Sequence, residues 1–167
     1  MGSFAEGVEK KPFGIYITPE TSPVQPERFT GYHTGVDVEI LQHQQDSEIP
    51  IYAIADGIVE LNRLVNGYGG VVILSFELDG KSYSALYGHV KVSADLDIGE
   101  QVSAGQFLTH LGRGFSDETD GERRHLHFSL KPGIDLDLRG YVQNKSELEA
   151  WLNPQEFFTA HSAAEPD

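Results

Sequence analysis

The segment HLHF places two histidines, His125 and His127, two residues apart in an apolar run. On a β-strand, side chains at these positions lie on one face, about 6.6 Å apart, whereas Leu126 and Phe128 lie on the other face. Two imidazoles on one face can both approach a small site. They can equally be a solvated pair on the surface of a sheet, and the pattern by itself does not distinguish these interpretations.

A second pair of residues with metal-binding chemistry occurs in GYHTGVDVE, where His33 and Asp37 are four positions apart. On an ideal strand they would be about 13 Å apart, which is too far for both to bind one ion at about 2 Å. Gly35 lies between them and is suited to a bend in the chain. Without such a bend, a polar turn with a surface histidine and aspartate is the simpler interpretation.

Together the two pairs supply His, Asp and His, a combination of neutral imidazoles and one carboxylate that suits zinc. We therefore predict that one Zn²⁺ ion is bound by His33, Asp37 and His127. Three protein ligands leave a fourth position for water, which is typical of catalytic zinc. Two histidines remain to move protons near neutral pH, His125 beside His127 and His89 at the end of SALYGHV.

The three other histidines have weaker cases. His43 occurs in the polar stretch LQHQQDSE and is predicted to be a solvated loop residue. His110 alternates with Leu108 on a predicted strand and should face outward, while His161 belongs to a polar C-terminal stretch. We expect none of the three to take part in catalysis.

The composition argues against several classes of partner and site. The 26 acidic and 12 basic residues give a formal net charge of −14, so nucleic acid is not an expected partner. The chain has no cysteine, which excludes disulfides and thiolate metal sites. No apolar stretch reaches the roughly 18 residues of a transmembrane helix. Residues 1–30 contain no apolar region typical of a signal peptide.

The elements that must position the candidate residues are predicted to be short strands. Val- and Ile-rich segments alternate with glycine-containing turns, among them Asp79-Gly80, a strong hairpin signal. The one predicted helix is SELEAWL, residues 146–152, with Ser146 as the N-cap of a capping box and Pro154 ending it. This pattern predicts an all-β domain of two packed or folded-over sheets.

The two ends of the chain differ in composition from the middle. Four prolines indicate that residues 1–30 form an extended leader with little regular structure. Residues 31–158 are predicted to form the one folded domain between them, and residues 159–167 a polar tail.

Several motifs in this order make the chain resemble a known family, the lysostaphin-type (LytM-like) zinc metallopeptidases that cut peptidoglycan peptides. The matching segments are HTGVD, IPIYAIADGIV, GYGGVVIL, LYGHV, GEQVSAGQFLTHLG, HLHF and LNPQEFF. The resemblance implies a duplicated-hybrid-motif fold of antiparallel sheets with one short C-terminal helix and a groove for an extended peptide. It also implies a zinc metalloendopeptidase acting on peptidoglycan, and hence a location in the cell envelope or outside the cell.

The resemblance also implies roles for the five candidate residues. His33, Asp37 and His127 would be the zinc ligands, and His125 would be the general base. His89 would stabilise the tetrahedral intermediate or move protons. The same five residues are thus nominated by their chemistry and by the family pattern.

The chain departs from the family pattern just before HLHF. The family usually has a short, Gly-rich approach containing Pro, whereas residues 113–124 here are RGFSDETDGERR. Ser129 occupies a position where Glu is frequent. These differences concern substrate preference rather than metal binding, and a solvated charged loop is the simpler interpretation of residues 113–124.

Two other functions compete with this interpretation. Some members of the family lose ligands and act as regulators or cell-wall modules, but none of the five key positions is lost here. The segments ADGIVE and GEQVSAGQFL also resemble the half-motifs of biotinyl- or lipoyl-carrier domains, with Lys81 at a hairpin. Carrier domains are smaller, however, and that interpretation leaves the five candidate residues unexplained.

Overall fold

The computed structural model describes residues 4–162, which contain eleven strands, two α-helices and three 3₁₀ helices. The strands are β1 Tyr16–Ile17, β2 Gly31–His33, β3 Val36–Glu39, β4 Pro50–Tyr52, β5 Gly57–Val65, β6 Gly69–Leu78, β7 Lys81–Val90, β8 Gln101–Val102, β9 Phe107–His110, β10 His125–Pro132 and β11 Tyr141–Val142. The α-helices are α1 Lys145–Leu148 and α2 Pro154–Ser162, and the 3₁₀ helices are Phe4–Gly7, Gln42–Gln44 and Asp117–Thr119. None of these helices is long and apolar enough to cross a membrane.

The largest sheet has six antiparallel strands in the order β3-β10-β7-β6-β5-β8. Its β6-β7 hairpin turns at Asp79 and Gly80, whose φ angles of 52° and 72° are both positive. This is the turn geometry that an Asp-Gly pair favours, so the hairpin predicted there is confirmed. Two smaller sheets, β1-β2-β11 and β4-β9, complete a mostly β architecture of the predicted class.

The middle of the large sheet is buried on both faces, because side chains alternate along β6. Val72, Leu74 and Phe76 belong to the main hydrophobic cluster. Val71 and Ile73 belong to a second, smaller cluster. Because both faces are covered, the register of the central strands is strongly specified, and this register positions the candidate residues of β7 and β10.

The helix predicted over residues 146–152 is shorter than expected, and its cap is Asn144 rather than Ser146. The Asn144 side chain accepts a hydrogen bond from the first turn of α1 at 3.0 Å. The Leu152 N–H donates to the Leu130 carbonyl at 2.9 Å, so this residue bridges to β10 instead of continuing the helix. A long-range backbone contact therefore overrides the local helical pattern.

A second helix, α2, begins at Pro154, where the sequence predicted the end of the only helix. Pro154 begins α2 rather than stopping a helix, since its missing N–H costs nothing in the first turn. Phe157 and Phe158 of α2 pack against the main hydrophobic cluster, which stabilises the helix through tertiary contact. The prediction of a single C-terminal helix was therefore wrong. Residues 159–162 of the expected polar tail continue α2, and residues 163–167 lie outside the described residues.

Residues 4–30 of the leader pack against the rest of the protein. β1 pairs with β2, with Ile17 opposite Gly31. Lys11 and Glu27 form a buried ion pair in which Nζ and Oε2 are 2.5 Å apart. The leader therefore contributes to the region in which β2 ends.

Candidate active site

A bend between β2 and β3 brings His33 and Asp37 to one point. β2 ends at His33 and β3 begins at Val36. A Cβ atom at Gly35 would lie 2.4 Å from the Phe128 carbonyl oxygen, so only glycine allows the bend to approach β10 this closely. The bend that the four-residue spacing requires is thus present, with Gly35 at its closest contact.

β10 adds His127 to this pair, because its register against β3 places His127 opposite Asp37. Asp37 Oδ1 lies 3.2 Å from His33 Nε2 and 3.2 Å from His127 Nδ1. The two nitrogens are 3.0 Å apart. The donor atoms therefore form a nearly equilateral triangle, and all three side chains are buried.

This donor triangle has the size that a tetrahedral zinc ion requires. Ligand atoms about 2.0–2.1 Å from zinc lie about 3.3 Å from one another. The observed separations of 3.0 to 3.2 Å are close to that value. The donor set of two imidazoles and one carboxylate also suits zinc, so His33, Asp37 and His127 form a group that can hold this metal.

Hydrogen bonds outside the donor triangle orient the two imidazoles. His33 Nδ1 donates to the Pro12 carbonyl at 3.3 Å, which leaves Nε2 for the triangle. His127 has the reverse arrangement, since its Nε2 lies 3.5 Å from the Tyr68 hydroxyl and its Nδ1 faces the triangle. Such outer contacts fix the tautomer and the ring orientation of metal-binding histidines.

His125 and His89 lie next to the donor triangle, with ring centroids 4.3 Å apart. His125 Nδ1 donates to the Arg123 carbonyl at 2.9 Å, and His89 Nδ1 donates to the Tyr68 carbonyl at 2.8 Å. His125 Nε2 lies 3.3 Å from Asp37 Oδ2. In both rings Nδ1 is thus committed to the backbone, and Nε2 is the atom available for proton transfer.

His89 reaches this position through a β-bulge. The register of β6 against β7 shifts at Gly70 and leaves His89 as the extra residue. Its φ angle of 62° is in the left-handed region, which residues other than glycine seldom adopt. Such a backbone costs on the order of 1–3 kcal/mol and occurs preferentially at functional sites. The bulge therefore supports the inclusion of His89 in the candidate site.

Burial and neighbouring charges shift the pKa values of the site. Burial alone would raise the pKa of Asp37, but the nearby His125 and His33 hold it well below its ordinary value. Burial lowers the pKa of His127 to about 4. Burial, together with the nearby His125, also holds the pKa of His89 well below its ordinary value. At neutral pH, Asp37 is therefore ionised and His127 neutral, the states in which these residues bind metals.

A cavity of about 300 Å³ gives access to the site. Four of the five candidate residues line it: Asp37, His89, His125 and His127. His33 is fully buried behind them. The other walls include the aromatic rings of Phe29, Tyr68 and Tyr141 and the leader residue Lys11. A cavity with a few convergent polar groups and apolar walls is typical of a ligand-binding site.

The remaining histidines lie away from this group and do not line the cavity. His43 is exposed in a 3₁₀ helix, and His161 is exposed in α2. His110 is partly exposed, with Nε2 3.3 Å from a Glu48 carboxylate oxygen. The structure thus separates the five candidate residues from the three that sequence reasoning set aside.

Residues 113–124, here called the charged segment, are anchored to the protein. Thr119 is fully buried, and Arg124 is nearly so. Arg28 of the leader pairs with Asp120 at 2.9 Å and with Glu122 at 2.7 Å. The interpretation as a solvated loop was therefore wrong for much of this segment, because its polar groups find partners in distant parts of the chain.

Sequence reasoning missed four residues of the site. Tyr68 lies within the recognised segment GYGGVVIL, and Arg123 stands two positions before His125, so each had a local signal. Arg123 Nη2 donates to Asp37 Oδ2 at 3.0 Å. Lys11 and Tyr141 had no such signal, since the 3.1 Å hydrogen bond between them joins residues 130 positions apart.

Comparison with known proteins identifies the class to which this fold belongs. The structure is similar to the catalytic domain of the antimicrobial peptidase lysostaphin from Staphylococcus simulans, with a TM-score of 0.60 and 21% identity over 94% of this chain and 98% of that one. It is also similar to LytU, with a TM-score of 0.58 and 22% identity over 90% of this chain and 83% of that one. Both likenesses confirm the fold that the motifs implied.

The family is shown by the sequence itself. A family model described as peptidase family M23 matches residues 31–138. The chain therefore belongs to peptidase family M23, and the resemblance drawn from its motifs is confirmed. A comparison with curated proteins found no significant match.

Proposed function

We propose that this protein is a zinc-dependent metalloendopeptidase that hydrolyses peptide bonds in peptidoglycan cross-links or stem peptides. The observation that carries the proposal is the donor triangle of His33, Asp37 and His127, with His125 and His89 beside it. Membership of peptidase family M23 supports the reaction class. The motif resemblance supports peptidoglycan as the substrate, and this substrate implies action in the cell envelope or outside the cell.

His33, Asp37 and His127 would hold the ion. When bound, zinc would supply Lewis-acid chemistry, lowering the pKa of water towards about 7 and polarising the scissile carbonyl. His125 is suited to act as the general base, because its Nδ1 is tied to a backbone carbonyl and its Nε2 can accept a proton. Once protonated, His125 would be stabilised by Asp37 Oδ2, 3.3 Å away, and could donate that proton to the departing amine.

His89 and Tyr141 would have complementary roles. Because His89 Nδ1 donates to a backbone carbonyl, the neutral ring presents an acceptor at Nε2, which suits proton transfer with His125. Tyr141 would instead donate to the developing oxyanion. Lys11 can only donate, so its bond to the Tyr141 oxygen leaves the phenol proton without an acceptor among the described residues.

Three properties support the role of Tyr141 as a donor. Its ring stacks on Phe29 and on His33, with centroid distances of 5.3 and 5.2 Å, which fixes its orientation. Burial, reinforced by the nearby Asp37 carboxylate, raises its pKa, so the phenol keeps its proton. It also lines the same cavity as His125. A fixed donor directed at developing charge is among the most effective catalytic devices in proteins.

Two alanine variants would separate metal binding from catalysis. We expect His127→Ala to lose both zinc and activity, whereas His125→Ala should retain zinc and lose at least about 100-fold in turnover. The measurements are metal analysis and mass spectrometry of muropeptides released from peptidoglycan, which also identifies the bond. His43→Ala, at an exposed histidine outside the site, is the control.

Two outcomes would contradict the proposal. A fully active His125→Ala protein would remove His125 from its role. A wild-type protein that binds zinc but releases no muropeptide would favour the alternative, a non-catalytic cell-wall module or regulator of another hydrolase.

A further inference from the structure

The two oxygens of Asp37 have different surroundings. Oδ1 belongs to the donor triangle, 3.2 Å from both His33 Nε2 and His127 Nδ1. Oδ2 lies 3.3 Å from His125 Nε2 and accepts a hydrogen bond from Arg123 Nη2 at the shorter distance of 3.0 Å. Arg123 therefore holds the oxygen that lies outside the triangle.

The Arg123 guanidinium bridges two carboxylates of β3. Its Nε lies 3.2 Å from a Glu39 oxygen, and its Nη2 contacts Glu39 as well as Asp37. Asp37 and Glu39 are two positions apart on one strand, so their side chains lie on the same face. The planar fork of arginine can bind both carboxylates at once, whereas the ammonium of lysine acts as a single point charge.

We propose that Arg123 is a positioning residue that keeps Asp37 a one-oxygen ligand of the metal. The inference rests on the metal site of the proposed function. A free carboxylate can bind a cation through one oxygen or through both. With Oδ2 engaged by Arg123, only Oδ1 is free for the ion, and coordination through both oxygens is disfavoured. A position thereby stays open for water.

Arg123 occupies this place although its own hydrogen bonding is incomplete. Its Nη1 is buried and has no partner within residues 4–162. An unpaired buried donor is unfavourable, and in native structures it calls for an explanation. Burial alone would also lower the pKa of Arg123, but Asp37 and Glu39 raise it above its ordinary value, so the side chain stays charged. The ion pairs with Asp37 and Glu39 offset this cost and keep the guanidinium beside the metal ligand.

The rest of the charged segment is anchored independently of Asp37. Arg28 of the leader forms ion pairs with Asp120 and Glu122 of the segment. Arg124 donates to backbone carbonyls, among them that of Gly112 at 3.0 Å. A change at Arg28 therefore disturbs the segment without touching the metal ligands, and it supplies a matched control.

The first test is zinc affinity of the full chain, measured by competition with a chromophoric chelator. We expect Arg123→Gln to weaken zinc binding by about 10- to 100-fold, the range typical of outer contacts to metal ligands. Arg123→Lys keeps the charge but lacks the fork, so an intermediate loss is expected. Arg28→Gln should bind zinc with wild-type affinity.

The second readout is the visible spectrum of the protein loaded with Co²⁺, which reports the coordination number of the metal. If Asp37 gains a second bond to the ion, the absorption bands should weaken and shift in Arg123→Gln but not in Arg28→Gln. Should Arg123→Gln fail to fold because Asp37 and Glu39 repel each other, the double variant Arg123→Gln/Glu39→Gln removes that repulsion and carries the same two measurements.

Two results would overturn the inference: wild-type affinity and spectrum in the Arg123 variants, or an equal loss in Arg28→Gln. Failure of the proposed function is distinguishable. A wild-type chain that binds no zinc would overturn the metal site and this inference together, whereas a failure confined to the Arg123 variants leaves the metal site standing.

Discussion

At the residue scale, the candidate site is organised by hydrogen bonds from ring nitrogens to backbone carbonyls. His33, His89 and His125 each donate Nδ1–H to a carbonyl of another residue. These bonds leave Nε2 of each ring as the functional atom, so the fold selects the tautomer that metal binding or proton transfer needs. Tyr141 is held in a comparable way. Because Lys11 can only donate to the Tyr141 oxygen, the phenol proton remains available as a donor.

Tyr141→Phe tests the role of the Tyr141 hydroxyl as a donor, because it removes only that group. The phenyl ring keeps the stack on His33 but loses the donor, so we expect kcat to fall about 100-fold with KM and zinc affinity unchanged. Steady-state kinetics on a defined peptidoglycan peptide measure kcat and KM, and metal analysis measures zinc binding. Tyr16→Phe, at an exposed tyrosine of β1, is the control. Wild-type kcat in Tyr141→Phe would exclude the hydroxyl from catalysis.

At the element scale, the site depends on how closely the bend after β2 approaches β10. The register of β10 places His127 opposite Asp37, but His33 reaches them only because the intervening chain turns sharply at Gly35. Gly35 is required here for space rather than for an unusual φ angle, since its absent Cβ would meet the Phe128 carbonyl. Because Gly35 has no side chain, the pair His33 and Asp37 can meet His127, which is far from them in sequence.

Gly35→Ala places a methyl group 2.4 Å from the Phe128 oxygen and 3.0 Å from His127 Nε2, so the bend or β10 must move. We expect the free energy of unfolding to fall by about 1–3 kcal/mol, and zinc affinity to fall at least tenfold. Urea denaturation and chelator competition measure the two effects.

Gly99→Ala is the control for Gly35→Ala, because Gly99 has a φ angle of 87° and open space around an added Cβ. It should lose about 1–2 kcal/mol through backbone strain and keep wild-type zinc affinity. Unchanged zinc affinity in Gly35→Ala would show that the bend tolerates a side chain.

At the scale of the whole molecule, the leader is built into the structure around the site. The carbonyl of Pro12 orients His33, and the Lys11 carbonyl accepts a hydrogen bond from the Asp37 N–H at 3.0 Å. The buried pair of Lys11 and Glu27 holds this part of the leader in place. The positions of Lys11 and Pro12 and the geometry of the metal ligands are therefore coupled.

Glu27→Gln should lower the free energy of unfolding by about 3–5 kcal/mol at neutral pH, because Lys11 is left buried without a counter-charge. The effect should depend on pH. Burial alone would raise the pKa of Glu27, but hydrogen bonds from Lys11 and from the Phe29 N–H lower it below its ordinary value of 4.5. A carboxyl group with a lowered folded pKa stabilises the protein above its unfolded pKa, and this stabilisation is lost as pH falls through the folded value.

The difference in unfolding free energy between wild type and Glu27→Gln should therefore be constant at neutral pH and shrink below about pH 4.5. Urea denaturation of both proteins at a series of pH values measures this difference. The contributions of the other carboxylates cancel in it, because both proteins contain them. A difference that stays constant to pH 3 would show that the pair does not contribute in this way.

The sequence by itself determined the class of fold and nominated the five residues at its candidate site. Strand periodicity, Asp-Gly turns and the spacing of His125 and His127 are local properties, and each can be read from a few neighbouring residues. The spacing of His33 and Asp37 also predicted a bend between them, because on a straight strand they are too far apart to bind one ion. Ligand chemistry then limited the metal, since a chain without cysteine must use imidazoles and carboxylates.

Only the tertiary structure decided which groups surround the five residues. Arg123 reaches Asp37 across 86 positions, and Lys11 reaches Tyr141 across 130. Helix α2 likewise depends on the packing of its phenylalanines against a core formed by distant strands. The hydrophobic periodicity of neighbouring residues does not predict these contacts. They form only when the register of β10 and the path of the leader bring remote residues together.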